Sequence, residues 1–254
     1  MRWGVISDVH ANVHALEAVL AALAREDVDR IVCAGDIVGY GPRPNECVAR
    51  IASLDPPAVV VAGNHDLMAV GRLPTLDLGP LPRQTLEWTW NVLDTDARRY
   101  LEALPATIVT DDGLVAAHGS LDDPAEYVLD AAAARDQLTR LGDRHPDAHV
   151  LVLGHTHLPV AYTKDGELPA EGEIALEGRE WLLNAGSVGQ SRERRPLARG
   201  LVLDLGGRLA RFVAVDYDVR ATKRELRAAG LPEYACHLAP SRGARLRRRL
   251  AALR

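Results

Sequence analysis

His155 and His157 stand one residue apart where the apolar run Val150–Leu153 gives way to Gly154. In an extended chain alternate side chains share a face and rise about 3.3 Å per residue, so the two imidazoles point the same way, about 6–7 Å apart. That spacing suits two neighbouring metal ions. Four other apolar runs end in a similar manner: Trp3–Ile6 leads into Ser7-Asp8-Val9-His10, Ile31–Ala34 into Gly35-Asp36, Ala58–Ala62 into Gly63-Asn64-His65-Asp66, and Leu114–Ala117 into His118-Gly119. One such ending is ordinary; the five together read as a ligand set. Gly35, Gly63 and Gly154 each precede a polar residue, where a side chain would crowd a backbone turning sharply round an ion.

Asp8, His10, Asp36, Asn64, His118, His155 and His157 supply oxygen and nitrogen donors and no thiolate. They are too many for one ion. Two ions about 3.5–4 Å apart can use them all if a carboxylate bridges, with Asp36 the natural bridge, and that arrangement serves to hydrolyse phosphate esters. Imidazole and carboxylate donors suit Mn²⁺, Fe, Zn²⁺, Ni²⁺ or Co²⁺ better than Mg²⁺, and two divalent transition-metal ions, Mn²⁺ first, are the expected cofactors. Such ions outweigh the two carboxylates in charge, so the site attracts an anion. A phosphoryl group laid across them and attacked by a hydroxide is the expected chemistry.

The apolar runs alternate with helical patterns at His14–Arg25, Asn45–Ser53, Pro82–Leu104 and Ala131–Leu141, which predicts layered α/β architecture with the site at the carboxyl ends of strands. After residue 158, turn signals at Asp165-Gly166 and Gly206-Gly207 separate short runs at Trp181–Leu183, Gly200–Leu205 and Leu209–Val215, predicting an antiparallel meander and mixed sheets overall. No repeat, low-complexity stretch or long linker interrupts the 254 residues, and 47% hydrophobic content is ample for one domain spanning 1–254. Trp3 opens an apolar run without a basic leader, and no stretch approaches the length of a membrane helix, so a cytoplasmic protein without a membrane partner is expected. Cys33, Cys47 and Cys236 are too few and scattered for a disulfide framework. The net charge of −5 hides an asymmetry: residues 216–254 hold ten Arg and Lys against four acidic residues. Leu246, Leu250 and Leu253 recur at helical spacing there, so the 220–254 tail is expected to be a helix with a basic wet side rather than a nucleic-acid site. That helix is a candidate for pairing two subunits or for covering its own domain.

The ordered motifs Asp8-Val9-His10, Gly35-Asp36, Gly63-Asn64-His65-Asp66, His118 and Gly154-His155-Thr156-His157 resemble the calcineurin-like metallophosphoesterase superfamily, in particular its small bacterial and archaeal phosphodiesterase-like members. The resemblance implies a four-layer α/β/β/α sandwich of two mixed β-sheets flanked by helices, with a dinuclear site between the sheets. It implies Asp8, His10, Asp36 and His157 on one metal, and Asp36, Asn64, His118 and His155 on the other. His65 matches the family's histidine beside the phosphate, with Asp66 as its candidate partner. Where the superfamily's protein phosphatases continue with Asp-Arg-Gly, this chain has Gly39-Tyr40-Gly41-Pro42. The missing arginine argues against a clamp for a dianionic monoester and leaves room for diesters.

Asn184-Ala185-Gly186-Ser187-Val188-Gly189-Gln190 also matches those small members and reads as a turn whose free N–H groups and Ser187 hydroxyl form a second phosphate wall. Asn12, Tyr40, Arg43 and Arg192 are further candidate substrate contacts, Tyr40 by stacking on a nucleobase, and Ser120–Tyr127 is a candidate rim. The expected function is hydrolysis of small nucleotide-like phosphodiesters. Alternatives are phosphomonoester hydrolysis, cleavage of a dinucleoside polyphosphate, and a non-catalytic scaffold of the same fold.

Overall fold

The structure is a computed structural model that describes residues 1–76, 78–178 and 180–240. In chain order the elements are β1 (Arg2–Ile6), α1 (Val13–Ala24), β2 (Arg30–Cys33), α2 (Pro44–Ala52), β3 (Val59–Val60), α3 (Asn64–Ala69), α4 (Pro80–Val92), α5 (Thr95–Glu102), β4 (Ile108–Val109), β5 (Leu114–Ala116), α6 (Ala131–Arg144) and β6 (Val150–Leu153). There follow β7 (Pro159–Thr163), β8 (Gly166–Leu168), β9 (Glu173–Ala175), β10 (Trp181–Ala185), β11 (Ala198–Asp204), β12 (Leu209–Val215), α7 (Val219–Ala228) and a 3-10 turn, Glu233–Cys236. Among the described residues the strands form two six-stranded mixed sheets, ordered β3-β2-β1-β11-β12-β9 and β4-β5-β6-β10-β7-β8.

Successive strand side chains point to opposite faces, and the central strands are apolar on both. Trp3, Val5, Val32 and Ala34 of the first sheet meet Leu114, Ala116, Val150, Val152 and Leu183 of the second in a core between the sheets. Their neighbours Ile6, Ile31 and Cys33 face outward onto α1 and α2 through Leu16, Val19, Leu23 and Ile51. Val115, Leu151, Leu153 and Leu182 face outward onto α6 through Ala134, Leu138 and Leu141. Three stacked cores make the expected α/β/β/α sandwich. The three cysteines are buried and unpaired.

Two sequence expectations change. The helical pattern over Pro82–Leu104 is two helices, because Leu93 is extended (φ −62°, ψ 123°) and Asp94 caps α5 by accepting a hydrogen bond from Ala97 N at 2.8 Å. The segment after residue 158 does not stay together as one meander. β7, β8 and β10 join the second sheet, where β10 runs parallel to β6, while β11 pairs antiparallel with β1 in the first. That crossing places the loop after β10 beside the loop after β1. The expected tail helix bearing Leu246, Leu250 and Leu253 lies outside the described residues. Among the described residues no helix is long and apolar enough to cross a membrane.

Candidate metal centre

Strands β1, β2, β5 and β6 end side by side, and the loops leaving them converge. Asp8 N donates to Gly35 O at 3.0 Å, His10 N to Asp36 O at 2.9 Å, and Gly154 N to His118 O at 2.8 Å. This packing needs unusual backbone: Asp8, His10, Asp36, His155 and His157 all sit at positive φ, between 47° and 64°. Left-handed backbone in non-glycine residues is costly and gathers at functional sites. It also overturns the extended geometry expected for His155 and His157, which turn sharply after β6 and so reach two different clusters. Asn184 holds that turn, its amide donating to Gly154 O at 2.6 Å and Thr156 Oγ1 at 3.2 Å. The glycines fit tightly: at Gly35 (φ +87°) a Cβ would stand 2.6 Å from Gly63 N and 2.9 Å from His118 Nδ1.

The ligating atoms of Asp8, His10 and His157 surround one position, and those of Asp36, His118 and His155 a second. Asp36 Oδ2 faces both, 3.6 Å from His10 Nε2 and 3.2 Å from His118 Nε2, while its Oδ1 accepts from His65 N at 2.8 Å. One oxygen is therefore held in place and the other is free to bridge. Asn64 Oδ1 lies 3.0 Å from His118 Nε2.

The ring nitrogens decide whether metal fits. Nδ1 of His10, His118 and His157 faces the carbonyls of Val38, Ala34 and Gln190 at 3.1, 2.6 and 2.8 Å, and a carbonyl accepts only from N–H. That leaves Nε2 as the inward atom of all three. In His155 it is Nε2 that faces Ala125 O at 3.1 Å, which leaves Nδ1 as its inward atom. Such carbonyl partners fix the tautomer of metal-ligating histidines. Burial pushes His10 and His157 well below the ordinary histidine range, so both are neutral, yet their Nε2 lone pairs meet at 3.1 Å. Asp8 Oδ2 and Asp36 Oδ2 are buried without a hydrogen-bond partner. Facing lone pairs and unpartnered carboxylate oxygens are an arrangement that bound cations would satisfy, and the donor set suits divalent transition metals.

Protons compete for these atoms. Burial raises Asp8 to about 7, and Asp36 adds to the rise. Burial would lower His118, but the carboxylates of Asp36 and Asp8 outweigh it and hold the ring at about 9. Asp36, raised by burial, is brought well below its ordinary value by His118 and His65. A metal entering at neutral pH must displace the His118 proton and part of the Asp8 proton. Affinity is therefore expected to rise with pH from about 6 to 9 as these sites empty, with one to two protons released per loading. Calorimetric titration of metal into stripped protein, in buffers of different ionisation enthalpy, reads that release directly; affinity that falls with rising pH would contradict it.

Around the clusters opens a cleft of about 600 Å³, lined by Asp36, Tyr40, Asn64, His65, His155, His157 and Arg192, by Asp123, Ala125 and Tyr127 of the expected rim, and by apolar residues of the 68–82 segment. His65 lies in its wall, and burial lowers its pKa. Asp66 does not pair with it. The Asp66 carboxylate accepts from Gly63 N at 3.0 Å and Val38 N at 3.1 Å, so it caps α3 and ties two loops. Tyr40 is buried at 6% exposure, its ring 4.7 Å from those of both His10 and His65, which leaves no face for a nucleobase.

Three other expected contacts stand elsewhere. Asn12 caps α1 and binds Gly189 O at 3.0 Å and Thr222 Oγ1 at 3.0 Å. Arg43 is engaged by Glu225 at 3.1 Å and Glu46 at 3.0 Å, away from the cleft. Ser187 Oγ donates to Asp8 O at 2.9 Å, and the N–H groups of Val188 and Gly189 donate to Ser7 O and Asp8 O. This loop therefore braces the Asp8 turn and has no free N–H wall for phosphate. Tyr127 was foreseen only as part of the rim; its ring stacks on His155 at 3.9 Å, a contact with no periodic or motif signal in the sequence.

Two sheets meeting at a pair of buried His/Asp clusters form a candidate dinuclear metal centre. The chain belongs to the calcineurin-like phosphoesterase superfamily, whose domain profile matches residues 1–207. A metallophosphoesterase from Sphaerobacter thermophilus shares the structure with a TM-score of 0.80 and 36% identity, over 93% of this chain and 96% of that one. An uncharacterised protein of Methanocaldococcus jannaschii is 32% identical over 91% of this chain and 93% of its own length. A shorter match, 38% identical over 64 residues (25% of this chain and 23% of the relative), is to a symmetrical bis(5'-nucleosyl)-tetraphosphatase of Psychromonas ingrahamii.

Proposed function

We propose that this phosphoesterase hydrolyses phosphodiester bonds of small nucleotide-like substrates, with Asp8, His10, Asp36 and His157 holding one divalent ion and Asp36, Asn64, His118 and His155 the other, Mn²⁺ being the first candidate. The observation that carries the reading is the cleft: Arg192 is the only Arg or Lys among its described lining residues, and much of its wall is apolar or aromatic. A dianionic monoester favours bidentate guanidinium clamps. A singly charged diester needs less positive charge and more room for its two organic arms. The bound ions supply Lewis-acid polarisation of the phosphoryl group and a lowered pKa of water.

The chain's own groups orient and donate. Arg192, held by Gln190 Oε1 at 3.4 Å, lines the cleft as the counter-charge for the phosphoryl oxygens. His65, fixed through its backbone N on Asp36, is the group that delivers an N–H to the leaving oxygen.

The test uses metal-stripped protein resupplied with Mn²⁺, Ni²⁺ or Zn²⁺ and given a 4-nitrophenyl phosphodiester and the matching monoester. Turnover only with metal, and a diester preference of about tenfold or more in kcat/KM, is expected. Monoester preference, or turnover insensitive to metal, would overturn the reading. The local match to a tetraphosphatase supports a second reading, hydrolysis of a phosphoanhydride, which analysis of products from a dinucleoside tetraphosphate separates. Two tightly bound metals without turnover of any of these would favour the scaffold role.

A further inference from the structure

The loop from Ser120 to Tyr127 is built more rigidly than a surface rim requires. Ser120 N donates to Asp123 O at 2.9 Å, Asp123 N to Ser120 Oγ at 3.0 Å, and Ala125 N to Asp123 Oδ1 at 2.8 Å. Leu121 N donates to Gln137 Oε1 at 2.9 Å, and Arg140 and Arg144 each hold Asp122 at 2.7 Å, so the loop is fastened to α6 as well. At its end Tyr127 lays one ring face on His155, 27° from parallel, while the residue remains 46% exposed and lines the cleft. Leu76, 82% exposed although it is a large aliphatic residue, lines the same cleft. A fixed aromatic ring, stacked on one face and half exposed to the cleft, is a platform for a flat apolar group. The other tyrosine of the cleft, Tyr40, is wedged between histidines and cannot serve.

We infer that Tyr127 is a specificity-determining residue of the cleft, its exposed ring face stacking on a planar aromatic arm of the substrate, a nucleobase in a nucleotidyl diester. The inference rests on the phosphodiester reading and narrows its substrate class. Because Tyr127 also covers a histidine of the second cluster, its effect on binding must be separated from any effect on the metals.

Two diesters with the same 4-nitrophenolate leaving group make that separation: thymidine 5'-(4-nitrophenyl) phosphate and methyl 4-nitrophenyl phosphate. The parent enzyme is expected to favour the thymidine diester in kcat/KM by about 10- to 100-fold, the range set by one base–aromatic stack. Tyr127→Ala should remove most of that advantage while changing the methyl diester by no more than about threefold, and Tyr127→Phe should retain it. Metal content per chain, measured by elemental analysis, should stay at the parent value in both variants. Equal losses on the two diesters would show that Tyr127 acts through His155 and overturn the inference, as would an unchanged preference in Tyr127→Ala. Should the parent hydrolyse neither diester, the phosphodiester reading falls, and calorimetric binding of thymidine 5'-monophosphate against methyl phosphate decides on Tyr127. Weaker nucleotide binding in Tyr127→Ala alone supports the stack, and equal binding overturns it.

Discussion

Asp36→Asn is expected to lower kcat/KM by about a thousandfold or more and to reduce bound metal from two ions per chain towards one. The substitution conserves volume and keeps an oxygen to accept from His65 N, now at 2.8 Å, so the loop after β2 should fold as before. It removes the negative charge at Oδ2, the oxygen that faces both His10 and His118 at 3.6 and 3.2 Å. Without a bridging carboxylate the two ions repel at close range, and one of them loses its hold. Elemental analysis and steady-state kinetics on the same sample read both effects. Two retained metals with parent-like turnover would mean that Asp36 does not bridge.

The second large effect is expected at His65. His65→Ala should reduce kcat by about 10²- to 10⁴-fold, the range for loss of a positioned proton donor, with metal content unchanged. The loss should depend on the leaving group. A 4-nitrophenolate departs without much help, so the deficit is smallest there and grows for an alkoxide such as a ribose oxygen. His65→Gln, which keeps most of the bulk, guards against a defect from the cavity that alanine leaves. Equal deficits for good and poor leaving groups would remove His65 from the leaving-oxygen role. Asp66 offers a contrast: bound to the backbone N–H groups of Gly63 and Val38, it supports the site's loops and does not touch the imidazole of its neighbour.

The donors that converge in the two clusters were legible in the sequence because they follow closely on strands, and strands announce themselves by short continuous apolar runs. The layered class followed from the alternation of those runs with helical patterns, and the chemistry from oxygen and nitrogen donors without sulfur. Local signals also misled. Asp94 reads as an ordinary polar residue inside a helical stretch until its side chain is seen capping Ala97 N, and the short α3 is hidden within the Asn64-His65-Asp66 motif.

Candidate substrate contacts were the least legible, for a physical reason. Whether Asn12, Arg43 or Ser187 reaches a ligand depends on partners far along the chain, namely Gly189 and Thr222, Glu225, and Asp8, and no local pattern encodes those pairings. The sequence by itself determined which groups can bind metal and on which strand ends they sit, since donor chemistry and strand periodicity are local properties. Only the tertiary structure decided that His155 and His157 leave the extended geometry, that Tyr40 is wedged while Tyr127 is stacked on one face and half exposed, and that the turn after β10 braces Asp8. The turn of the two histidines comes from positive-φ backbone, the tyrosine environments from ring contacts between neighbouring loops, and the brace on Asp8 from the crossing of β10 and β11 between sheets, a packing of segments more than a hundred residues apart.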